Sequence, residues 1–228
     1  GATAGASDIG RLVRRMPWTA TSARAQAMPA GHFVVTSNVD GAFEAAGLAP
    51  ERILEQHGNI HRYQCTVPCG STIWTGDPPD LQIDLETLQA RGQLPRCAEC
   101  GALARPNVLM FGDFAWVADA MEEQRRRYQH WLASVRGKRL AIIELGAGKA
   151  LATIRCCGEK LIGERARTTL VRINPDASDA DEPAVPVRMK ALEALARLEE
   201  RLPESFKSAA KTGVRIERPT ATVLPVGS

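Results

Sequence analysis

Four cysteines in two tight pairs constrain this chain more than any other feature. Three residues separate Cys65 from Cys69 and two separate Cys97 from Cys100, with 27 residues between the pairs. Two such pairs across a mid-length loop supply four thiolates that can converge on one tetrahedral zinc. The other use of paired cysteines, a disulfide, requires an oxidising compartment. The chain does not open with the positive-then-apolar pattern of a secretory leader, so metal binding is the expectation. Four thiolates leave no open coordination position, which predicts a structural zinc rather than a catalytic one. Cys156 and Cys157 are adjacent and cannot easily share a tetrahedral site; they read as buried or half-buried free thiols.

The 228 residues suffice for one sizeable domain, or for one domain carrying a small inserted module. No apolar run is long enough to span a bilayer. Lys plus Arg number 29 against 26 Asp plus Glu, and the arginines are scattered. That balance argues against nucleic acid as a partner. Aromatics make up only 5% of the chain, so the core is expected to be built from Val, Ile, Leu and Ala. The expected location is cytoplasmic.

Short apolar runs at 32–36, 107–111, 140–145 and 170–173 read as buried parallel strands. Each ends in loop chemistry: Ser37-Asn38-Val39-Asp40-Gly41, Gly112-Asp113, Gly146-Ala147-Gly148 and Asn174-Pro175-Asp176. Ligands of open α/β sheets sit beyond the carboxyl ends of strands, so four such ends predict one crevice. Met121, Tyr128, Leu132 and Val135 form a helical stripe closed by Gly137, and Ala191, Leu195, Leu198 and Leu202 form another before Pro203. The expected fold is α/β, a Rossmann-like parallel sheet with an inserted small zinc-binding module of four cysteines. Residues 1–60 and 102–206 would form the Rossmann-like domain and 61–101 the module. Residues 176–187 read as an acidic loop, and 207–228 as a flexible tail in which Val214–Ile216 could add an edge strand.

The motifs then converge on a family. Thr36-Ser37-Asn38-Val39-Asp40-Gly41, His57-Gly58-Asn59, the cysteine pairs, the run from Arg105 to Asp113, the Gly146 loop and Ile173-Asn174 follow one another as in the sirtuins. The chain resembles these NAD-dependent protein lysine deacylases over roughly residues 10–202. The resemblance implies that an acylated lysine attacks the nicotinamide ribose, that O-acyl-ADP-ribose forms, and that His57 is the general base. An imidazole titrating near neutrality suits that proton transfer. It further implies that Asn38 and Asp40 address the ribose and the nicotinamide amide, so both join His57 as catalytic candidates. Thr36, Ser37, Gly146, Ala147, Gly148 and Asn174 complete the expected NAD-binding set. Val108, Phe111 and Gly112 match the acyl-peptide site.

Each residue also has a plainer role. His57 could cap a turn, Asn38 to Gly41 could be an Asx turn, and Val108 a buried strand residue. His61, four residues after His57, lacks the intervening carboxylate of an HExxH zinc site, and His32 reads as structural. Gly146-Ala147-Gly148 lacks the third glycine of a dinucleotide fingerprint and replaces the Gly-Thr-Ser usual in sirtuins; Ser37 replaces a glutamine. Gly5-Ala6-Ser7 lies only 29 residues before Thr36, too close for the family's cofactor loop and its Asp-Phe-Arg segment. The expectation is therefore a chain lacking that N-terminal portion, with an unpaired strand edge, uncovered apolar surface and weakened NAD affinity. Alternatives to the deacylase are a catalytically impaired zinc-stabilised binding domain and an NAD-consuming ADP-ribosyl transferase or hydrolase.

Overall fold

The computed structural model describes residues 30–67, 69–70, 72–76, 82–87, 89–176 and 183–201. Two parallel groups of strands and one antiparallel sheet make up most of its β structure. Strand β1 (Val34–Thr36) pairs in parallel with β2 (Ile53–Glu55), joined through the short helix α1 (Ala42–Ala45) and a 3-10 turn at Pro50–Arg52. Strand β3 (Gly58–Cys65) follows immediately and is antiparallel to β4 (Ile73–Thr75) and β7 (Ala104–Val108). Between them β5 (Gln82–Ile83) and β6 (Ala90–Arg91) form a two-residue hairpin ladder. The chain then alternates α2 (Asp119–Ser134), β8 (Leu140–Leu145), α3 (Thr153–Glu164), β9 (Thr168–Ile173), β10 (Val185–Val187) and α4 (Ala191–Arg201). Strands β8, β9 and β10 run parallel, with β9 in the centre.

Helix α2 carries the expected stripe. Met121 and Val135 are buried, Tyr128 and Leu132 half-buried. It packs on β2, whose three residues are all buried. Phe33, Tyr128 and Trp131 form a ring cluster with centroids 5.1 to 6.3 Å apart, and Trp131 Nε1 donates to the Ala30 carbonyl. Leu48, Ile53, Leu54 and Val117 complete this part of the core. On the other parallel group, Leu170 and Ile173 of β9 are buried, as are Ala194 and Leu195 of α4. Leu198 is 36% exposed, and Leu202 lies outside the described residues.

Several expectations are corrected. The run at 107–111 is not a parallel strand: its first two residues end β7, which is antiparallel to β3, and Leu109, Met110 and Phe111 project from a turn. An apolar run carries no information on the direction of its partner. Accordingly only three of the four expected strand ends belong to parallel strands. Strand β8 is not buried throughout, since Ala141 and Ile143 face outward and Ile143 is 42% exposed. Among the described residues no ladder joins β1–β2 to β8–β10. Residues 185–187, expected in a loop, extend beside Val171–Ile173 as β10; Pro186 is tolerated because this strand is at the edge. Strands β2, β3 and β4 and helix α3 are absent from the sequence reading, because β2 is only three residues long and α3 contains Gly158 and Gly163. Cys156 is exposed rather than buried. Gly5-Ala6-Ser7, Val214–Ile216 and the tail lie outside the described residues.

Candidate active site and cysteine cluster

His57 sits on the two-residue turn between β2 and β3, at the carboxyl end of the β1–β2 pair. Three contacts hold that turn. Gln56 N–H donates to the Thr36 carbonyl at 2.9 Å, Leu109 N–H donates to the His57 carbonyl at 2.9 Å, and Ile60 N–H donates to the Val39 carbonyl at 2.9 Å. Gly58 lies opposite Val108 with φ +83°, and a Cβ there would stand 2.0 Å from the Asn107 carbonyl oxygen. Only glycine permits this approach. The turn bearing His57 is thereby fastened to the strand bearing Val108, which is half-buried.

A buried polar network lies directly beneath. The Glu55 carboxylate is 5% exposed and accepts from Asn59 Nδ2 at 2.5 Å and Gln124 Nε2 at 3.2 Å, and it pairs with Arg62 Nη1 at 3.2 Å. Gln124 Oε1 accepts from Glu55 N–H at 2.8 Å, tying α2 to β2. The residues flanking His57 are thus held by hydrogen bonds to a satisfied buried carboxylate.

Asn38 and Asp40 occupy the loop after β1, both exposed. Asn38 N–H donates to Thr36 Oγ1 at 3.0 Å, and Asp40 Oδ1 accepts from Ala42 N–H at 3.0 Å. The second contact is an Asx turn opening α1, so the plain role of Asp40 is realised. His61 is on a strand, not a helix, and its Nε2 lies 3.3 Å from the Asp40 carbonyl. It braces the 38–41 loop instead of pairing with His57 over a metal. His32 precedes β1 and is half-buried; burial, and to a lesser extent Arg52, holds its pKa below the ordinary value.

The second group of expected residues lies at the carboxyl ends of β8 and β9. Gly146 has φ +63° and its N–H donates to the Ile173 carbonyl at 3.0 Å. Gly146 and Gly148 have open space where a Cβ would be, leaving the loop backbone approachable. Asn174 follows β9, its N–H donating to the Val187 carbonyl at 3.1 Å. Helix α3 touches the His57 turn: Gln56 Nε2 donates to Cys157 Sγ at 3.7 Å.

Beyond Val108 the chain turns through Leu109 to Gly112, with Phe111 91% exposed and Gly112 at φ +68°. Arg105 pairs with Asp113 at 2.7 Å and closes this turn. Burial pushes the Asp113 carboxyl up, but Arg105 and the Met110 and Ala115 N–H groups together hold it below the ordinary value. Gln64 and Asn107, both fully buried, lock β3 to β7. Gln64 Oε1 accepts from Asn107 Nδ2 at 2.8 Å and Val117 N–H at 3.0 Å, and its Nε2 donates to the Ala115 carbonyl at 2.7 Å.

The four cysteines converge. Their sulfurs lie within 4.8 Å of one another, with Cys65–Cys100 and Cys69–Cys97 both at 3.6 Å. None is disulfide-bonded. A tetrahedron of thiolates about 2.3 Å from a central zinc has edges of about 3.8 Å, so the set fits that ion. The backbone N–H groups of Cys100 and Glu99 pull the Cys97 thiol down to about 7, as suits a metal-binding thiolate. Burial raises the Cys65 thiol, and hydrogen bonding to Cys100 and Cys97 raises that of Cys69.

The Sir2 family profile matches residues 21–131, which contain the His57 turn, the Asn38–Asp40 loop and all four clustered cysteines. Over that span the chain is similar to the Sir2 family. The chain is 30% identical over 170 residues to an NAD-dependent protein deacylase of Aeropyrum pernix, a match spanning 72% of this chain and 58% of that one. It is 28% identical over 178 residues to the NAD-dependent protein deacylase Sir2 of Mycolicibacterium smegmatis, spanning 78% and 66%. Both matches thus cover less than two thirds of the relative. A Sir2 homologue solved as a complex with NAD superposes with a TM-score of 0.53 at 23% identity, covering 87% of this chain and 68% of that one. A Sir2 homologue solved as a point mutant with ADP-ribose gives 0.52 at 21% identity, covering 92% and 78%. At those identities the structural likeness concerns the fold, and the parallel strands of this chain are consistent with a Rossmann-like one.

Glu55, Gln124, Gln64, Glu144 and Arg172 are buried polar residues that no motif marks. Glu144 and Arg172 had a signal: each is a charge inside an apolar strand run, and such a charge requires a partner.

Proposed function

We propose that this chain carries the catalytic elements of a sirtuin-type, NAD-dependent protein lysine deacylase, with His57 as the general base. The observation that carries this reading is the fastening of the His57 turn to β7 through Gly58, opposite Val108. It supports the reading because a base at His57 would then stand next to the strand expected to receive an acylated lysine. NAD would supply an activated C1′ from which nicotinamide departs as the acyl oxygen attacks. His57 would take a proton from a ribose hydroxyl, and Asn38 and Asp40 would hold the ribose and the carboxamide through amide and carboxylate groups. Gly146, Ala147, Gly148 and Asn174 would receive the remainder of the dinucleotide over open backbone. Val108, Phe111 and Gly112 would bind the acyl-lysine segment, which can add along an exposed backbone edge. Cys65, Cys69, Cys97 and Cys100 would hold a structural zinc that secures the β3–β7 region.

A binding domain without turnover is a second reading. What favours it is the Gly146-Ala147-Gly148 loop, which offers no hydroxyl to the dinucleotide. Nicotinamide release from NAD, with and without an acetyl-lysine peptide, tests both. Peptide-dependent release that disappears in His57→Ala supports the deacylase. Zinc-loaded, folded protein that binds the peptide and releases nothing overturns it. Release without peptide, yielding free or protein-bound ADP-ribose, would mark an ADP-ribosyl transferase or hydrolase.

A further inference from the structure

Glu144 of β8 and Arg172 of β9 face one another in register within two strands whose other buried residues are apolar. Their side chains are 2% and 1% exposed. Arg172 Nε donates to Glu144 Oε1 at 2.5 Å and its Nη2 to Glu144 Oε2 at 3.3 Å. The same Nη2 donates to Glu159 Oε1 of α3 at 2.9 Å. Arg155, one turn earlier on α3 and 5% exposed, brings its Nε to 3.9 Å from that Glu159 oxygen. Two anions and two cations therefore meet here, with Arg172 Nη1 buried and without a hydrogen-bond partner among the described residues. Gly158 brings the helix within contact of it: a Cβ there would lie 3.4 Å from both Glu144 Oε2 and Leu170 Cδ1.

The position of this cluster is more telling than its charge. Glu144 lies two residues before Gly146, and Arg172 lies two before Asn174. Arg155 and Glu159 belong to the first two turns of the helix that follows the 146–152 loop. The cluster thus joins, from beneath, the three segments that bound the open loop. Buried ion pairs add little stability over apolar packing of the same volume, and their best-attested use is to fix register. Here that register is between a strand end and a helix start, below a loop whose own residues carry no hydroxyl or amide side chain to anchor it.

We propose that Glu144, Arg172 and Glu159 are positioning residues that set the 146–152 loop, and through it the affinity for the dinucleotide. This rests on the deacylase reading only for the identity of the ligand. Three variants test it: Glu144→Gln, Arg172→Lys and the milder Glu159→Gln, whose wild-type side chain is 44% exposed. The first readout is amide hydrogen exchange over residues 146–155, and the second is KM for NAD against kcat for nicotinamide release. Glu144→Gln and Arg172→Lys should each accelerate exchange in this segment at least tenfold and raise KM about tenfold, with kcat within about twofold. Glu159→Gln should shift both in the same direction by about threefold and remain folded. Unchanged exchange over 146–155 in folded Glu144→Gln and Glu159→Gln proteins would overturn the proposal. Exchange that accelerates equally in β1 and β2 would also overturn it, by showing general destabilisation. If wild type neither binds NAD nor releases nicotinamide, the deacylase reading fails, and the exchange pattern still decides the positioning role.

Discussion

Gly58→Ala isolates the contact on which the candidate site depends. The alanine must adopt φ +83°, a left-handed conformation costing about 1 kcal/mol relative to glycine. Its Cβ would stand 2.0 Å from the Asn107 carbonyl oxygen, 3.0 Å from that carbonyl carbon and 3.3 Å from Val108 Cα. All three are backbone atoms, so no rotamer change relieves the overlap. Strand β7 must retreat from the turn by roughly 1 Å to restore ordinary contact. That displacement strains the Gly58–Val108 pairing and the 2.9 Å bond from Leu109 N–H to the His57 carbonyl. At about 1 kcal/mol for each of two weakened backbone bonds, the total reaches about 3 kcal/mol. A change of that size lowers Tm by about 6–12 °C in a domain of this length. Gly137→Ala is the control, because Gly137 has φ +77° with nothing within 4 Å of its Cβ position. It carries the conformational cost without the overlap and should lose about 1 kcal/mol. Calorimetry of the three proteins, each with added zinc, measures the difference. Equal losses in Gly58→Ala and Gly137→Ala would refute the close approach of the His57 turn to β7.

Other outcomes follow from the same geometry. Gln64→Leu should destabilise by about 3 kcal/mol, since it leaves Val117 N–H and the Ala115 carbonyl without this partner and removes one of the two bonds made by Asn107 Nδ2; urea denaturation would measure it. Metal analysis should find one zinc per chain, and Cys97→Ser should lose it together with several degrees of Tm, whereas Cys156→Ser should retain both. The Asp113 carboxyl is held low in the folded state, so its contribution is fully present above the unfolded value of about 3.9 and is lost as pH falls through the depressed folded value. Arg105→Ala should therefore cost stability at pH 7 and flatten the acid limb of the stability profile below about pH 4.

What the sequence disclosed, and what it withheld, divides along physical lines. The cysteine spacing sufficed because four thiols at those separations have few other ways to be used together. Helix α2 was legible because its stripe holds a 3.6-residue period over four turns. Strands β8 and β9 were legible as apolar runs, and the carboxyl-end loops followed from them. Strand β3 was hidden because Gly58 to Cys65 mixes polar and aromatic residues whose burial comes from β7 on one side and β4 on the other. The direction of β7 was misread for the same reason: pairing partner and direction are tertiary facts. Among candidate site residues, His57, Asn38, Val108 and Gly146 stand out by their motifs. Their supports, Glu55, Gln124 and Gln64, make contacts 43 to 69 positions away, and no local pattern announces such distances.

Those supports share a logic. Glu55 with Asn59, Arg62 and Gln124 flanks His57; Gln64 with Asn107 adjoins Val108; Glu144 with Arg172 and Glu159 underlies Gly146. Apolar residues of equal volume would stabilise each position as well or better, because every buried amide or charge must be desolvated before it is paired. Apolar packing is tolerant of small slides, however, whereas a hydrogen-bonded carboxylate or amide accepts only one arrangement of its partners. All three networks lie within two residues of a segment that the deacylase reading would bring to a ligand. Their placement is what would be expected if loop position, more than stability, decided which polar residues this core retains. Apolar replacement of the Glu144–Arg172 pair should then raise Tm while weakening dinucleotide binding, a divergence that calorimetry and titration on one protein would reveal.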